Sequence, residues 1–200
     1  GGWVFFLRGK RSRLGQIGRV AIGLGLLILA LQLIVQAARP IAESHSIEAL
    51  FASLTGDLLL DALVGALFAL ITYSSLAAVL LTATLAGSGM ISLPVAIGLV
   101  IGANIGSGVL ALINSSMQSA AGRRLAVGSL LYKLLGLLLL LPVVEPLVHW
   151  MEQLDWSAAT LVIGFHLAYN SLRCLLLLPT VGWMARLCTL VLPARARDEG

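Results

Sequence analysis

From Ala62 to Gly122 the chain runs for 61 residues without a single Asp, Glu, Lys, Arg or His. Two clusters of small and polar residues interrupt it, Thr72-Tyr73-Ser74-Ser75 and Gly102-Ala103-Asn104-Ile105-Gly106-Ser107. A soluble protein needs charge on the exposed faces of its helices, whereas a bilayer about 30 Å thick takes about 20 apolar residues for each crossing helix. The sequence therefore predicts a membrane segment with a polar site at membrane depth.

The composition of the whole chain agrees with this interpretation. Hydrophobic residues make up 59% and charged residues 11%, against roughly 25% charged residues in soluble domains. The 13 Lys and Arg residues lie in short clusters at the ends of apolar segments, a pattern typical of membrane orientation and not of nucleic-acid binding. Cys174 and Cys188 lie in apolar runs without metal-ligand spacing and are interpreted as packing residues. We predict an all-α integral membrane protein in the lipid bilayer, with no nucleic-acid partner and no metal centre.

The order of the charges predicts the topology. Residues 1–16 form a cytoplasmic basic segment after a truncated preceding span, which indicates a fragment of a longer protein, and Val20 to Ala38 offers 19 uncharged residues for a crossing. Arg123 and Arg124 are interpreted as cytoplasmic again. The stretch that follows the first crossing is interpreted as external because it carries four acidic residues, Glu43, Glu48, Asp57 and Asp61. An odd number of crossings must therefore fit between Asp61 and Arg123.

Three thin spans, or one crossing plus a re-entrant hairpin, satisfy that count. The break at Thr72 comes only 11 residues after Asp61, which is too short for a crossing and suits a hairpin tip at Thr72–Ser75. Gly87-Ser88-Gly89 would be the turn at the surface, and Ile91 to about Ile113 the crossing, interrupted at Asn104.

The last third predicts two further crossings. Leu125 to Val144 runs outward, an external loop carries Glu145, Glu152 and Asp155, and Trp156 to about Leu178 returns inward. The membrane repeat thus covers residues 17–192, and 193–200 form a cytoplasmic tail.

These residues carry a family resemblance. The Thr72-Tyr73-Ser74-Ser75-Leu76-Ala77 and Gly102-Ala103-Asn104-Ile105-Gly106-Ser107 pair resembles the QSSSA and GANIGTT motifs of the sodium-dependent phosphate cotransporter family, in its bacterial branch. Arg123-Arg124-Leu125-Ala126 resembles the family's RRxA stretch, and Phe165-His166-Leu167-Ala168-Tyr169-Asn170 its HxxFN element. The resemblance covers about Ile22 to Leu192.

The resemblance implies a fold of two inverted repeats, each with a re-entrant helical hairpin and a broken transmembrane helix, of which this chain is the second. It implies sodium-coupled transport of inorganic phosphate by a multi-pass protein of the bacterial inner membrane that is not an enzyme. Sodium would be the coupling ion, with no cofactor, and a missing N-terminal repeat would supply the other half of a midplane site. The implied phosphate- and sodium-binding residues are Thr72, Tyr73, Ser74, Ser75, Asn104, Gly106 and Ser107.

Some positions depart from the family pattern. Tyr73 stands where the family has Gln, Leu76 where it has a third Ser, and Ser107 where it has Thr. Tyr offers only a hydroxyl where Gln offers an amide donor and a carbonyl acceptor. The number of bound sodium ions and the strength of phosphate binding therefore stay open.

Four further residues are candidates for supporting the site: Lys133, His166, Asn170 and Arg173. A charge at membrane depth is costly and indicates function, although Lys133 and Arg173 could instead extend their side chains to the membrane surface. His166 alone would more commonly be a hydrogen-bonded packing residue. Gly98, Gly102, Gly106 and Gly108 could likewise serve close helix packing.

An argument from charge is independent of the resemblance. An unpaired anion in a low-dielectric site costs many kcal/mol, and Ala62 to Gly122 provides no cation. Co-bound sodium, coordinated by hydroxyl and carbonyl oxygens beside helix ends, would supply the charge.

Two other functions are alternatives for this sequence. One is a cation-coupled transporter of another small anion, and the other is a non-catalytic membrane assembly subunit. An intramembrane serine hydrolase would need Ser88 with His166 and lacks a third orienting group, so it is not favoured.

Overall fold

The computed structural model describes residues 13–42, 57–115 and 119–193, and the elements in these ranges are helices. The chain divides into two compact units, Gly1–Glu43 and Ser44–Gly200. The first contains helix α1, Arg13–Ala42, which includes the predicted span. Helix α1 begins inside the predicted basic segment, and the predicted tail after residue 193 lies outside the described residues. The all-α fold predicted from the sequence is confirmed.

A helical hairpin opens the described part of the second unit. Helices α2, Leu58–Ile71, and α3, Ser75–Gly87, contain 14 and 13 residues, so neither is long enough to cross a bilayer alone. The two are joined at Thr72–Ser74. Two short helices that meet at Thr72 to Ser75 are thus as expected for the hairpin, and its re-entry into the membrane stays a prediction.

Local side-chain chemistry fixes both arms of the hairpin. The Asp57 carboxylate accepts the backbone N–H groups of Leu59 and Leu60 at 2.9 and 3.0 Å and caps α2. The Ser74 hydroxyl accepts the N–H of Ala77 at 3.1 Å and caps α3. Between them Tyr73 has a φ of 53°, a left-handed conformation that is strained for a residue with a side chain.

Helix α4, Leu93–Asn114, runs for 22 residues without a break. The predicted interruption at Asn104 is therefore wrong. The Asn104 amide donates to the carbonyl of Val100 at 3.3 Å, and the Ser107 hydroxyl donates to the carbonyl of Asn104 at 2.8 Å. These polar side chains bond to the preceding turn of their own helix, so the helix accommodates them without unwinding.

The broken helix lies further along the chain. Helices α5, Ala120–Leu140, and α6, Val144–Glu152, meet at a bend of 70°. Pro142 lies in the three-residue break, where its lack of an N–H group stops the helix from continuing. The predicted external loop thus contains helix α6.

Helix α7, Ala158–Leu177, continues through a 3-10 turn, Leu178–Thr180, into helix α8, Val181–Val191. The helical run extends 34 residues, beyond the predicted end of the crossing near Leu178. Among the described residues of the second unit, this run and α4 are each long and apolar enough to span a bilayer, and the bent α5–α6 pair is a third candidate.

Helix α4 is the centre of the second unit, because 61% of its most apolar segment is buried, against 11% of the corresponding segment in the α7–α8 run. Three of its glycines face α2. A Cβ placed on Gly98 would lie 2.5 Å from the Asp61 Cβ, and one on Gly106 would lie 2.5 Å from the Ala66 carbonyl oxygen. Gly102 contacts the Ala62 backbone still more closely. The hairpin therefore packs backbone to backbone against α4, which only glycine permits.

Candidate functional site

A polar contact joins α4 to α5 in the middle of both helices. The Lys133 ammonium donates to the Ser107 hydroxyl at 2.7 Å, and this hydroxyl donates to the Asn104 carbonyl oxygen at 2.8 Å. Asn104 is 5% exposed. A Cβ on Gly108 would lie 3.0 Å from the Lys133 Cδ, so glycine at that position leaves room for the lysine stem. Lys133 thus points into the protein and not toward the membrane surface.

Helix α7 contributes the other side of the cluster. The amide nitrogens of Asn104 and Asn170 lie 3.5 and 3.4 Å from the Nδ1 of His166. An amide nitrogen can only donate, so these contacts favour the tautomer in which Nδ1 is the acceptor. The Arg173 guanidinium donates to the Asn170 side-chain oxygen at 2.8 Å. His166, Asn170 and Arg173 share one helical face because they are spaced four and three residues apart.

Aromatic rings support the arginine. The Arg173 guanidinium carbon lies 5.8 Å from the centroid of the Tyr169 ring, within cation–π range. Tyr169 is in turn stacked on Phe165, with centroids 5.7 Å apart and planes 6° apart. A Cβ on Gly136 would lie 2.5 Å from the Arg173 Cδ, so α5 lets the arginine stem pass close to its backbone. The result is one continuous polar cluster, which we call the midhelix cluster: Asn104, Ser107, Lys133, His166, Asn170 and Arg173.

The charges of the midhelix cluster are not balanced. Lys133 and Arg173 are cations, and in the described ranges neither makes an ion pair with a carboxylate. The Nε of Arg173 is buried and has no hydrogen-bond partner there. Cations removed from water without a counter-charge are costly. The arrangement is therefore suited to receive a small anion.

The hairpin tip does not join the midhelix cluster by hydrogen bonds in the part of the chain that the structure describes. Thr72 donates to the carbonyls of Phe68 and Ser74 at 2.9 and 3.1 Å, Ser74 caps α3, and the Tyr73 side chain is 67% exposed. A binding role for Thr72, Tyr73, Ser74 and Ser75 stays a prediction. The close contact with Ala66 explains by helix packing why position 106 is a glycine. A role of Gly106 in ion binding also stays a prediction.

The structure thus brings Asn104 and Ser107 together with all four residues predicted to support the site. It also shows groups that the sequence interpretation missed. Tyr169 was not singled out, although its spacing from Phe165 and Arg173 places the three on one face. Asp61, interpreted from its charge as external, is 0% exposed. Its burial was not foreseen, although Asp61 lies four residues before Gly65 on the face of α2 that contacts the glycines of α4, and the external side of this stretch stays a prediction.

A pocket of about 610 Å³ lies beside the cluster, between α5, α7 and α8, and Arg173 borders it. Arg124 lines the same pocket and donates from its Nε to the Leu192 carbonyl at 2.8 Å. The Tyr132 hydroxyl and the Thr180 hydroxyl, 3.0 Å apart, link α5 to the turn before α8. The arginine end of the cluster is therefore next to open space, whereas Asn104 is enclosed.

Comparison with known proteins identifies relatives of this chain. It is 57% identical over 198 residues to YjbB of Salmonella typhimurium and 59% identical over 198 residues to YjbB of Escherichia coli K12, both named as proposed inorganic phosphate export proteins. These alignments cover 99% of the chain but 36% of each relative, so the chain spans about a third of their length. The protein YqeW of Bacillus subtilis, named as uncharacterized, is 27% identical over 195 residues, which cover 98% of the chain and 63% of YqeW.

No solved structure matches the chain. The family model described as Na+/Pi-cotransporter matches residues 38–172, a range that includes the hairpin, helix α4 and most of the midhelix cluster. On this match and on its near relatives, the chain belongs to the Na+/Pi-cotransporter family.

Proposed function

We propose that this chain forms one half of the phosphate-binding site of a sodium-coupled phosphate transporter, a multi-pass protein of the bacterial inner membrane. The observation that carries the proposal is the pair of inward-facing cations, Lys133 and Arg173, in a cluster that contains no anion among its described residues. Family membership and the names of the YjbB relatives support phosphate as the substrate.

In this proposal the cations bind the phosphate oxygens and the neutral residues orient them. Arg173 presents a planar guanidinium fork that suits a phosphate, and its Nε has no hydrogen-bond partner among the described residues. Lys133 supplies a point charge from the opposite helix. His166 and Asn170 fix the position of the arginine through the hydrogen bond of 2.8 Å between Asn170 and Arg173. The N-terminal repeat of the intact transporter would close the site.

Sodium coupling requires a separate argument. The segment from Ala62 to Gly122 is neutral, but α5 and α7 bring the positive charges of Lys133 and Arg173 to α4. Phosphate carries about 1.5 to 2 negative charges near pH 7. Fixed cations therefore supply much of the counter-charge. Sodium is supported instead by the family and by the hydroxyl and carbonyl oxygens of the tip at Thr72 to Ser75, which suit a hard cation. A sodium-independent anion transporter is the second candidate, favoured by the contact between Lys133 and Ser107.

The test uses the full-length protein in liposomes, with phosphate binding and flux measured in sodium and in potassium buffers. We expect tighter phosphate binding in sodium, and by linkage tighter sodium binding in phosphate. Lys133→Ala should weaken phosphate binding by about 10- to 100-fold, since removal of a charge-assisted contact costs about 1.5 to 3 kcal/mol. Arg186→Ala, at an exposed position of α8, is the matched control and should bind as the wild type does. Equal binding in both buffers would rule out sodium coupling, and normal binding by Lys133→Ala would rule out the proposed site.

A further inference from the structure

Asp61 is a buried carboxyl group without a hydrogen-bond partner in the part of the chain that the structure describes. It is 0% exposed, and neither of its side-chain oxygens makes a hydrogen bond within the described residues. Its Oδ2 lies 3.3 Å from the point where a Cβ of Gly98 would be. The carboxyl group is therefore held between α2 and the backbone of α4, inside the closest helix contact of the second unit.

The start of helix α2 does not explain this burial. A carboxylate near a helix N-terminus is stabilised when it accepts the free backbone N–H groups. In α2 those groups bond to Asp57, which accepts from Leu59 and Leu60. Asp61 lies one turn further on and points sideways at α4. Its carboxyl group consequently gains no hydrogen bond from the helix end.

Among the described residues, the helices that pack against α2 present no positive charge to Asp61. Helices α3 and α4 contain no Asp, Glu, His, Lys, Arg, Tyr or Cys, and the nearest titratable group on its own helix is Asp57, which has the same sign. A buried carboxylate without a partner is one of the most costly groups that a protein can contain. The close contact of α2 with α4 therefore requires that Asp61 be neutral, which means protonated or paired with a bound cation.

The geometry favours a proton over a metal cation. A sodium or other hard cation needs several oxygen ligands around it. The contact at Gly98 is too tight even for a methyl group, so it has no space for an ion and its ligands. A proton needs only the carboxyl oxygen itself.

We propose that Asp61 is a proton-binding site that couples protonation to the contact between the hairpin and α4, so that the proton acts as a coupling ion for transport. With the proton bound, the hairpin packs against Gly98. When the proton leaves to water, the carboxylate must be hydrated, and the two helices separate at this end. The inference rests on the proposed function for the identity of the transported anion but not for the proton site itself.

The first experiment measures transport by the full-length protein in liposomes, with phosphate inside and outside and with sodium equal on both sides. An imposed pH gradient should drive phosphate accumulation in the wild type, by up to about tenfold per pH unit for one coupled proton. Asp61→Asn, which mimics the neutral acid, should keep phosphate exchange and lose the response to the gradient. Asp57→Asn changes the same charge one turn earlier and should respond as the wild type does. Because all three proteins see the same phosphate, titration of the substrate cancels in the comparison.

Two outcomes would overturn the proposal. One is an Asp61→Asn protein whose response to the pH gradient equals that of the wild type. The other is a wild type that responds to a sodium gradient but not to pH, with the sodium response lost in Asp61→Asn, because Asp61 would then bind sodium.

The second experiment does not depend on phosphate. The melting temperature of the purified full-length protein is measured against pH. A carboxyl group that is protonated only in the folded state makes folding less favourable as pH rises, by about tenfold in the equilibrium per pH unit within its window. The wild type should therefore lose more stability with rising pH than Asp61→Asn. If the melting temperatures of the wild type and Asp61→Asn change in parallel with pH, the proton site is refuted even when the protein transports phosphate. Because this measurement does not use phosphate, it tests the proton site even when the protein does not transport phosphate.

Discussion

The substitution Gly102→Ala tests the packing that holds the hairpin on α4. A Cβ at this position would lie 2.6 and 2.7 Å from the carbonyl carbon and Cα of Ala62, and still closer to its carbonyl oxygen. An ordinary contact needs at least about 3.4 Å, so the helices must move apart by more than about 1 Å. Since all these atoms belong to the backbone of α2, no side chain can rotate away. Overpacking of this kind costs about 1 to 3 kcal/mol.

The assay is the melting temperature of the full-length protein in detergent, followed by phosphate transport in liposomes. A loss of about 2 kcal/mol should lower the melting temperature by roughly 4 to 8 °C for a domain of this size. Gly164→Ala in α7 is the matched control, because a Cβ there meets nothing within 4 Å and alanine favours the helix by up to about 1 kcal/mol. If Gly102→Ala melts with or above Gly164→Ala, the close contact between α2 and α4 does not exist.

Two further predictions concern the hairpin. Tyr73→Gly should raise the melting temperature, because glycine relieves about 1 kcal/mol of strain at a φ of 53°; an unchanged or lower value in the same melting assay would argue against the left-handed turn. In a background without Cys174 and Cys188, single cysteines at the exposed positions Asp57 and Ser88 should react with a membrane-impermeant maleimide from the same side of the membrane. Labelling from opposite sides would mean that the hairpin crosses the bilayer.

The hairpin could be predicted from the sequence because its signals are local. Asp61 and Thr72 are too close for a crossing, and Ser74 is a typical N-cap residue. The break at Asn104 could not be judged in the same way. Glycines beside an asparagine fit both an unwound helix and a close helix contact, and the choice depends on α2, which packs there through Ala62 and Ala66.

In the candidate site too, local signals could be read from the sequence and contacts between distant residues could not. Individual charges at membrane depth, Lys133 and Arg173, were recognisable because such charges are rare. Their connection was not, since the contacts of Lys133 with Ser107 and of Asn104 with His166 join residues 26 and 62 positions apart. The burial of Asp61 was not foreseen because a charge between two apolar segments has the same pattern whether it lies at the surface or under a neighbouring helix.

The bend after α5 has an electrical consequence. Lys133 lies nine residues after Arg124 and eight before Leu141, where the bend begins, which is about 13 Å and 12 Å along the helix. The lysine is thus close to halfway between Arg124 and the bend. In the proposed transporter, with the bend at the membrane surface, an anion that reaches the lysine from either side would cross about half of the membrane potential, worth roughly 1 kcal/mol per charge for each 100 mV. Because Pro142 ends the helix at this distance, it would also set how strongly the voltage across the membrane changes the occupancy of the proposed site.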